Sequence, residues 1–223
     1  MICLADSDFS TKCMSGFLLR HVVPRSAPFQ LIGPLDRRLP FSRFARFGDV
    51  IVGVGHGEED IFSGQQEEIL LEVGEYNKDE VNGKFIKLVS CQTGEKLGPN
   101  LIRNGALAFQ GYTEDYLWVA DADYIATPWD DPIAGKFIGP VIDALNALFN
   151  GEMNVVVYNI EISGYEHSFA QEEDVLSRSF LRWNKDHLVY LGDPNARIRP
   201  RPKISLPIPP PPLFMPSLGP GRF

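Results

Sequence analysis

DVIVGVGHG at residues 49–57 and KFIKLVSCQTG at residues 84–94 decide how this chain is read. The first is an unbroken apolar run and the second is apolar but for Lys87; neither alternates, the mark of a strand buried in a parallel sheet. Each ends in a glycine-bearing turn that carries one chemically capable side chain, His56 in the first and Cys91 in the second. In an open α/β sheet the carboxyl ends of parallel strands share an edge, and ligands bind there. The separation of 35 positions leaves room for a connection and a crossover, so both can arrive at that edge on neighbouring strands. A thiol is little ionised at neutral pH, and a nearby imidazole is what makes it a nucleophile. The N–H of Gly57 and that of Cys91 itself would lie beside the pair as an oxyanion hole. Alone, a cysteine is most often a small core hydrophobe and a histidine a structural one. Their placement at two strand ends, each close to a glycine, favours chemistry.

Outward from these two strands, short apolar runs alternate with helical patterns, as in a parallel sheet flanked by helices. Met1–Ala5 reads as a first strand ending at Asp6 and Asp8, followed by a helix capped by Ser10 or Thr11 and running to about Val23, before Pro24. Gln66–Val73 reads as an edge strand or hairpin arm, Asn77–Val81 as a turn of helix, and Asn82-Gly83 as a turn. Gly98–Asn104 is helical, Ala106–Phe109 a strand, and Pro132–Phe149 an amphipathic helix with Ile133, Phe137, Val141, Ala144 and Leu148 on one face. Met153–Tyr158 reads as a strand, Glu172–Trp183 as a helix and His187–Leu191 as the last strand. Residues 1–199 thus form one domain. Nine of the 18 prolines lie from Pro200 onward, so 200–223 is an extended, polyproline-like tail, a surface strap or a ligand for a partner.

The formal charge of −8 argues against nonspecific nucleic-acid binding. Cys3, Cys13 and Cys91 form no C-x-x-C pair, which fits neither a disulfide scaffold nor a zinc site and points to reduced thiols in the cytoplasm. The first residues show no basic segment followed by an apolar core, and no run has the length of a membrane span. No metal or organic cofactor is called for. Competing chemistries fail on spacing. A cysteine phosphatase wants arginine six residues after its nucleophile, where Leu97 stands. A nucleophile elbow wants glycines two residues either side, where Val89 and Thr93 stand. Glu58 occupies the last glycine of a G-x-G-x-x-G dinucleotide loop.

An apolar strand ending in His-Gly, then one ending in Cys, resembles the peptidase clan of caspases, gingipains, legumains, clostripain and separase. GHGEEDIFSG (55–64) is similar to the caspase histidine block. LVSCQTGEKLGPNLIRNGALAFQGYTEDYLW (88–118) and HLVYLGDPNARI (187–198) look more like gingipain-type and CHAT-type domains. The resemblance spans roughly Val50 to Ile198; the caspase pentapeptide around the cysteine is absent. It implies a caspase-like three-layer sandwich with a mostly parallel six-stranded sheet. It also implies a cofactor-free cysteine endopeptidase acting on a peptide or protein substrate, with Cys91 attacking and His56 as acid and base. Glu58 and Glu59 are candidates to orient the histidine. In such relatives, loops at the strand ends build the specificity pocket. Asp6, Asp8, Glu114 and Asp115, with Asp121 and Asp123 behind them, would then favour cleavage after arginine or lysine. Two other readings stand beside this one: a silent binding module on the same fold, and a transpeptidase or ligase.

Overall fold

The computed structural model describes residues 1–22 and 29–200. Its strands are β1 (Ile2–Leu4), β2 (Gln30–Ile32), β3 (Val50–Val54), β4 (Ile61–Ser63), β5 (Ile69–Glu72), β6 (Phe85–Val89), β7 (Ala108–Tyr112) and β8 (Leu188–Gly192). Its α-helices are α1 (Phe9–His21), α2 (Arg38–Ala45), α3 (Leu97–Arg103), α4 (Pro132–Phe149), α5 (Asn154–Gln171) and α6 (Val175–His187). Six strands form one sheet in the order β2-β1-β3-β6-β7-β8, parallel except for β8, which runs against β7. β4 and β5 make a separate antiparallel hairpin. The α/β class and the six-stranded, mostly parallel sheet are as the sequence implies.

Side-chain alternation along the buried strands builds two cores. Val50, Val52 and Val54 face the layer of α1, α4 and α5, where Met14, Phe17, Phe137, Val141 and Val157 pack. Met1, Cys3, Ile51, Ile86 and Leu88 face α2, α3 and the hairpin, meeting Phe41, Leu101 and Phe62. Helices on both faces are what allow the central strands to be buried throughout.

Register positions the site. Leu4 pairs with Val54, and Val54 with Val89, so these three strands end level. His56 and Cys91 therefore each stand two residues beyond a matched pair. The strand order reverses between β1 and β3, so the ends of these two strands flank a switch point of the kind where α/β sheets bind ligands.

Three local expectations are corrected. Met153–Tyr158 is not a strand but the start of α5. Its buried residues, Asn154, Val157, Glu161 and Tyr165, follow a helical period, but two of them are polar, so the apolar pattern hides it. The cap of α1 is Asp8 rather than Ser10 or Thr11. The Asp8 carboxylate accepts the Thr11 N–H at 3.0 Å, and the Thr11 side chain reaches back to the Asp8 N–H in a reciprocal box. The last helix begins at Val175, capped by Asp174, instead of at Glu172. The expected tail at 200–223 lies outside the described residues beyond Pro200, as does the expected end of α1 at Val23.

Gly192-Asp193-Pro194 ties α5 to the sheet edge. Asn154 donates its backbone N–H to Ala196 and its side-chain amide to the carbonyls of Leu191 and Asp193. Gly192 has φ of 84°, and a Cβ there would stand 2.4 Å from the Leu107 carbonyl oxygen. No helix among the described residues is long and apolar enough to cross a membrane.

Candidate active site

His56 and Cys91 line one cavity of 260 Å³ at the carboxyl edge of the sheet. Two glycines let the chains come this close. A Cβ on Gly57 would stand 2.4 Å from the Cys91 carbonyl oxygen, and one on Gly55 would stand 1.9 Å from the Ser63 carbonyl oxygen. The His56 carbonyl accepts the Ser63 N–H at 3.0 Å, while the Glu58 N–H goes to Ile61. This two-bond bridge to the hairpin leaves the Gly57 N–H outside the ladder.

The histidine is held by a carboxylate. His56 Nε2 lies 2.9 Å from Asp8 Oδ2, with the two side chains 43% and 39% exposed. A carboxylate only accepts, so Nε2 carries the proton and Nδ1 of the neutral ring has the free lone pair. Burial works to raise the Asp8 carboxyl. Hydrogen bonds from the Thr11 N–H, from His56 and from the Thr11 hydroxyl outweigh it, and its pKa lies below the usual aspartate value. Glu58 and Glu59 do not take this role: Glu59 pairs with Lys96, and it is Asp8, not Glu58, that holds the imidazole, although Glu58 and His56 border a second depression together. Asp8 as the residue orienting His56 was missed in the sequence. The signal was the D-x-x-T cap at the end of β1, but nothing local says that β1 lies beside β3.

Cys91 is half-buried, whereas Cys3 and Cys13 are buried. Burial pushes its thiol up; the Tyr116 N–H pulls it down, and the Asp115 carboxylate beside it pushes it up again, for a net rise. At neutral pH Cys91 therefore rests as a thiol rather than a preformed thiolate. Burial raises Cys13 to about 12, with the Asp131 charge adding to the effect. Burial also raises Cys3 well above the usual thiol range, which keeps both of these protonated at neutral pH. Gln92, next to Cys91, is held at φ of 55°; its N–H goes to the Glu114 carbonyl and its amide to Asp115. The Trp183 indole N–H bonds the Asp115 carbonyl at 3.0 Å and so fixes the loop after β7.

The four acids expected to bind substrate are not gathered in the cavity. Asp6 exchanges two hydrogen bonds with Gln65, both at 2.9 Å. Asp8 is committed to α1 and His56. Asp115 accepts the Gln92 amide, and Glu114 is exposed. None of the four forms the wall, and neither do Asp121 and Asp123. Ser10, Thr11, Met14, Val54, Val89, Tyr116 and Trp118 do. Among the described residues no group of three or more His, Cys, Asp or Glu could hold a metal ion.

No family model and no curated protein matches the chain. A solved structure, the complex of Porphyromonas gingivalis RgpB pro- and mature domains, is similar to it, with a TM-score of 0.53 and 11% identity. The likeness covers 90% of this chain and 48% of that one, so the chain spans about half the length of its neighbour. At that identity the likeness speaks for architecture alone: the chain has the caspase-like α/β fold of a gingipain, at a distant level.

Proposed function

We propose that the chain is a cysteine endopeptidase working through Cys91 and His56, with Asp8 as a positioning residue. The observation that supports this most directly is the shared cavity: the one half-exposed thiol among the described cysteines faces it together with a carboxylate-held imidazole. In this scheme the Cys91 sulfur bonds the scissile carbonyl carbon as its proton passes to His56 Nδ1. The oxyanion that forms is met by the N–H groups of Gly57 and Cys91. The C–N bond breaks as the proton moves from Nδ1 to the leaving amine. Water then adds to the thioester, giving a proton to Nδ1, and that proton returns to sulfur as the carboxylic acid leaves. Because the resting thiol is held protonated, transfer to His56 accompanies attack instead of preceding it. Asp8 keeps Nε2–H in place and stabilises the imidazolium.

The test is cleavage of a peptide library, together with labelling by an acyl-directed electrophile, across a variant set. Cys91→Ala should lose both, and His56→Ala should lose nearly all turnover. Substitution of Cys3 or Cys13 by Ala should leave the label on Cys91. Asp8→Asn preserves a good helix cap but can offer N–H to Nε2 and so favours the wrong tautomer. Its kcat should fall roughly 10²- to 10⁴-fold, the scale of one acid–base contribution, with KM little changed and an altered pH profile. Full turnover in Cys91→Ala sinks the reading. Absence of both turnover and labelling in the wild type would leave a binding module on this fold.

A further inference from the structure

The cavity beside Cys91 says which side chain it can take. Its floor and walls include Met14, Val54 and Val89, all buried, with Trp118 at the rim stacked on Phe9 at 5.9 Å between ring centroids. The buried hydroxyl groups of the lining already have partners. Thr11 donates to Asp8 at 2.8 Å, Ser90 bonds Thr93 at 3.1 Å, and Tyr116 donates to the Phe137 carbonyl at 2.9 Å. The nearest carboxylates are engaged too: Asp8 by His56 and the α1 N-terminus, Asp115 by the Gln92 amide. A guanidinium or ammonium entering here would shed water and find no unengaged acid in the wall, and a buried charge without a counter-charge is strongly disfavoured. An apolar side chain would instead bury its surface against four apolar ones.

We infer that the residue preceding the scissile bond is uncharged and apolar, of leucine, methionine or phenylalanine size, and that Met14, Val54, Val89 and Trp118 select it. This rests on the peptidase reading above and reverses the basic preference that the loop acids suggested.

Matched peptides with Leu, Met, Phe, Arg, Lys or Asp before the cut test it, using the full chain, Cys91→Ala and two pocket variants. Wild type should favour the three apolar residues over Arg and Lys by at least roughly tenfold in kcat/KM, because a desolvated charge left without a partner weakens binding. Ser10 is exposed on the cavity rim in the first turn of α1, where an acid suits the helix dipole. Ser10→Asp should therefore fold normally and raise cleavage after Arg. Met14→Ala should enlarge the cavity and shift preference from Leu towards Phe. A wild-type preference for Arg or Lys that is dependent on Cys91 would overturn the specificity inference while upholding the peptidase. An apolar preference that neither pocket variant changes would also overturn it. If no peptide is cut in a Cys91-dependent manner, the peptidase reading falls and this inference with it.

Discussion

At the residue scale, the Cys91 thiol is raised by burial and set between two opposed groups of the loop after β7. Asp115 raises its pKa and the Tyr116 N–H lowers it, so the carboxylate can be removed without touching the donor. Asp115→Asn should move the pH profile of Cys91 alkylation to lower pH and increase labelling at neutral pH; a profile that stays put, or moves up, contradicts this arrangement. The glycines are the second residue-scale device. Gly57→Ala drives a Cβ into the Cys91 carbonyl and the Thr93 methyl, at 2.4 and 2.8 Å. A displacement of the dyad by a fraction of an ångström should slow labelling by roughly tenfold or more. Gly139 in α4 meets nothing within 4 Å and has ordinary helical dihedrals, so Gly139→Ala serves as the control with unchanged labelling. Equal labelling rates in the two variants would show that the close approach is irrelevant to the site.

At the scale of elements, the hairpin that supports His56 is fastened by a buried acid and its neighbours. The segment 64–68 holds Gln66 and Glu67 at φ of 55° and 59°, and is pinned by the Gln65 N–H to the Asp36 carbonyl at 2.8 Å. The same segment bonds Asp6 through the Gln65 side chain and pairs Glu68 with Arg37. Asp36 itself is fully buried, and among the described residues its carboxyl has no N–H or hydroxyl partner, only the Cys3 thiol beside it. Burial, reinforced by the charges of Asp6 and Glu68 and opposed by the Cys3 thiol, lifts it to about 7. In the unfolded chain it ionises near ~3.9. Between these values the folded state binds more protons than the unfolded one. This contribution to stability is therefore full below about pH 4 and is lost as pH rises through about 7. Asp36→Asn should match wild type at pH 4 and exceed it at pH 8, by at most roughly 4 kcal/mol, since the amide still buries unpaired polar atoms. Denaturant melts at the two pH values measure this; a variant less stable than wild type at pH 8 would mean that Asp36 has an ionic partner in solution.

At the scale of the whole molecule, one polar chain joins the sheet to its larger helical layer. Lys87, at the centre of β6, is buried and ion-paired with Glu161 of α5, and its ammonium also reaches the Gln110 side chain at 3.1 Å. Glu161 accepts the Tyr112 hydroxyl, which bonds Tyr165 at 2.8 Å, and Gln110 donates to Asn154 at the start of α5. Such a network stands only when complete, because each member was desolvated for the others. Lys87→Met should cost about 3–5 kcal/mol by leaving Glu161 buried without its counter-charge. Lys87→Met with Glu161→Gln should recover much of that loss. Chemical denaturation with the two single variants and the double one gives the coupling; additive losses would show the pair to be independent.

Much of the sheet edge that carries the candidate site was legible in the sequence because strands buried on both faces announce themselves locally. Val50–Val54 needed only its apolar run and Phe85–Val89 its apolar residues on either side of Lys87, and the turns after them named His56 and Cys91. α4 was legible for the same reason, its apolar period being uninterrupted. What stayed hidden depended on contacts between segments distant along the chain. Asp8 reads from its neighbours as an acid after the first strand, and becomes the partner of His56 only because β1 pairs with β3. The start of α5 read as a strand because its β-branched residues dominate. Its helix is stabilised by Asn154 and Glu161, polar groups whose partners lie on β6, β7 and beyond β8. The acids after the strands suggested a basic substrate by composition, while packing turned them to Gln65, α1 and Gln92 and left an apolar cavity. Local sequence thus determined which residues reach the sheet edge, because period and burial are properties of a short segment. Tertiary structure decided what each one faces there, because hydrogen-bond partners and cavity walls come from segments tens of residues apart.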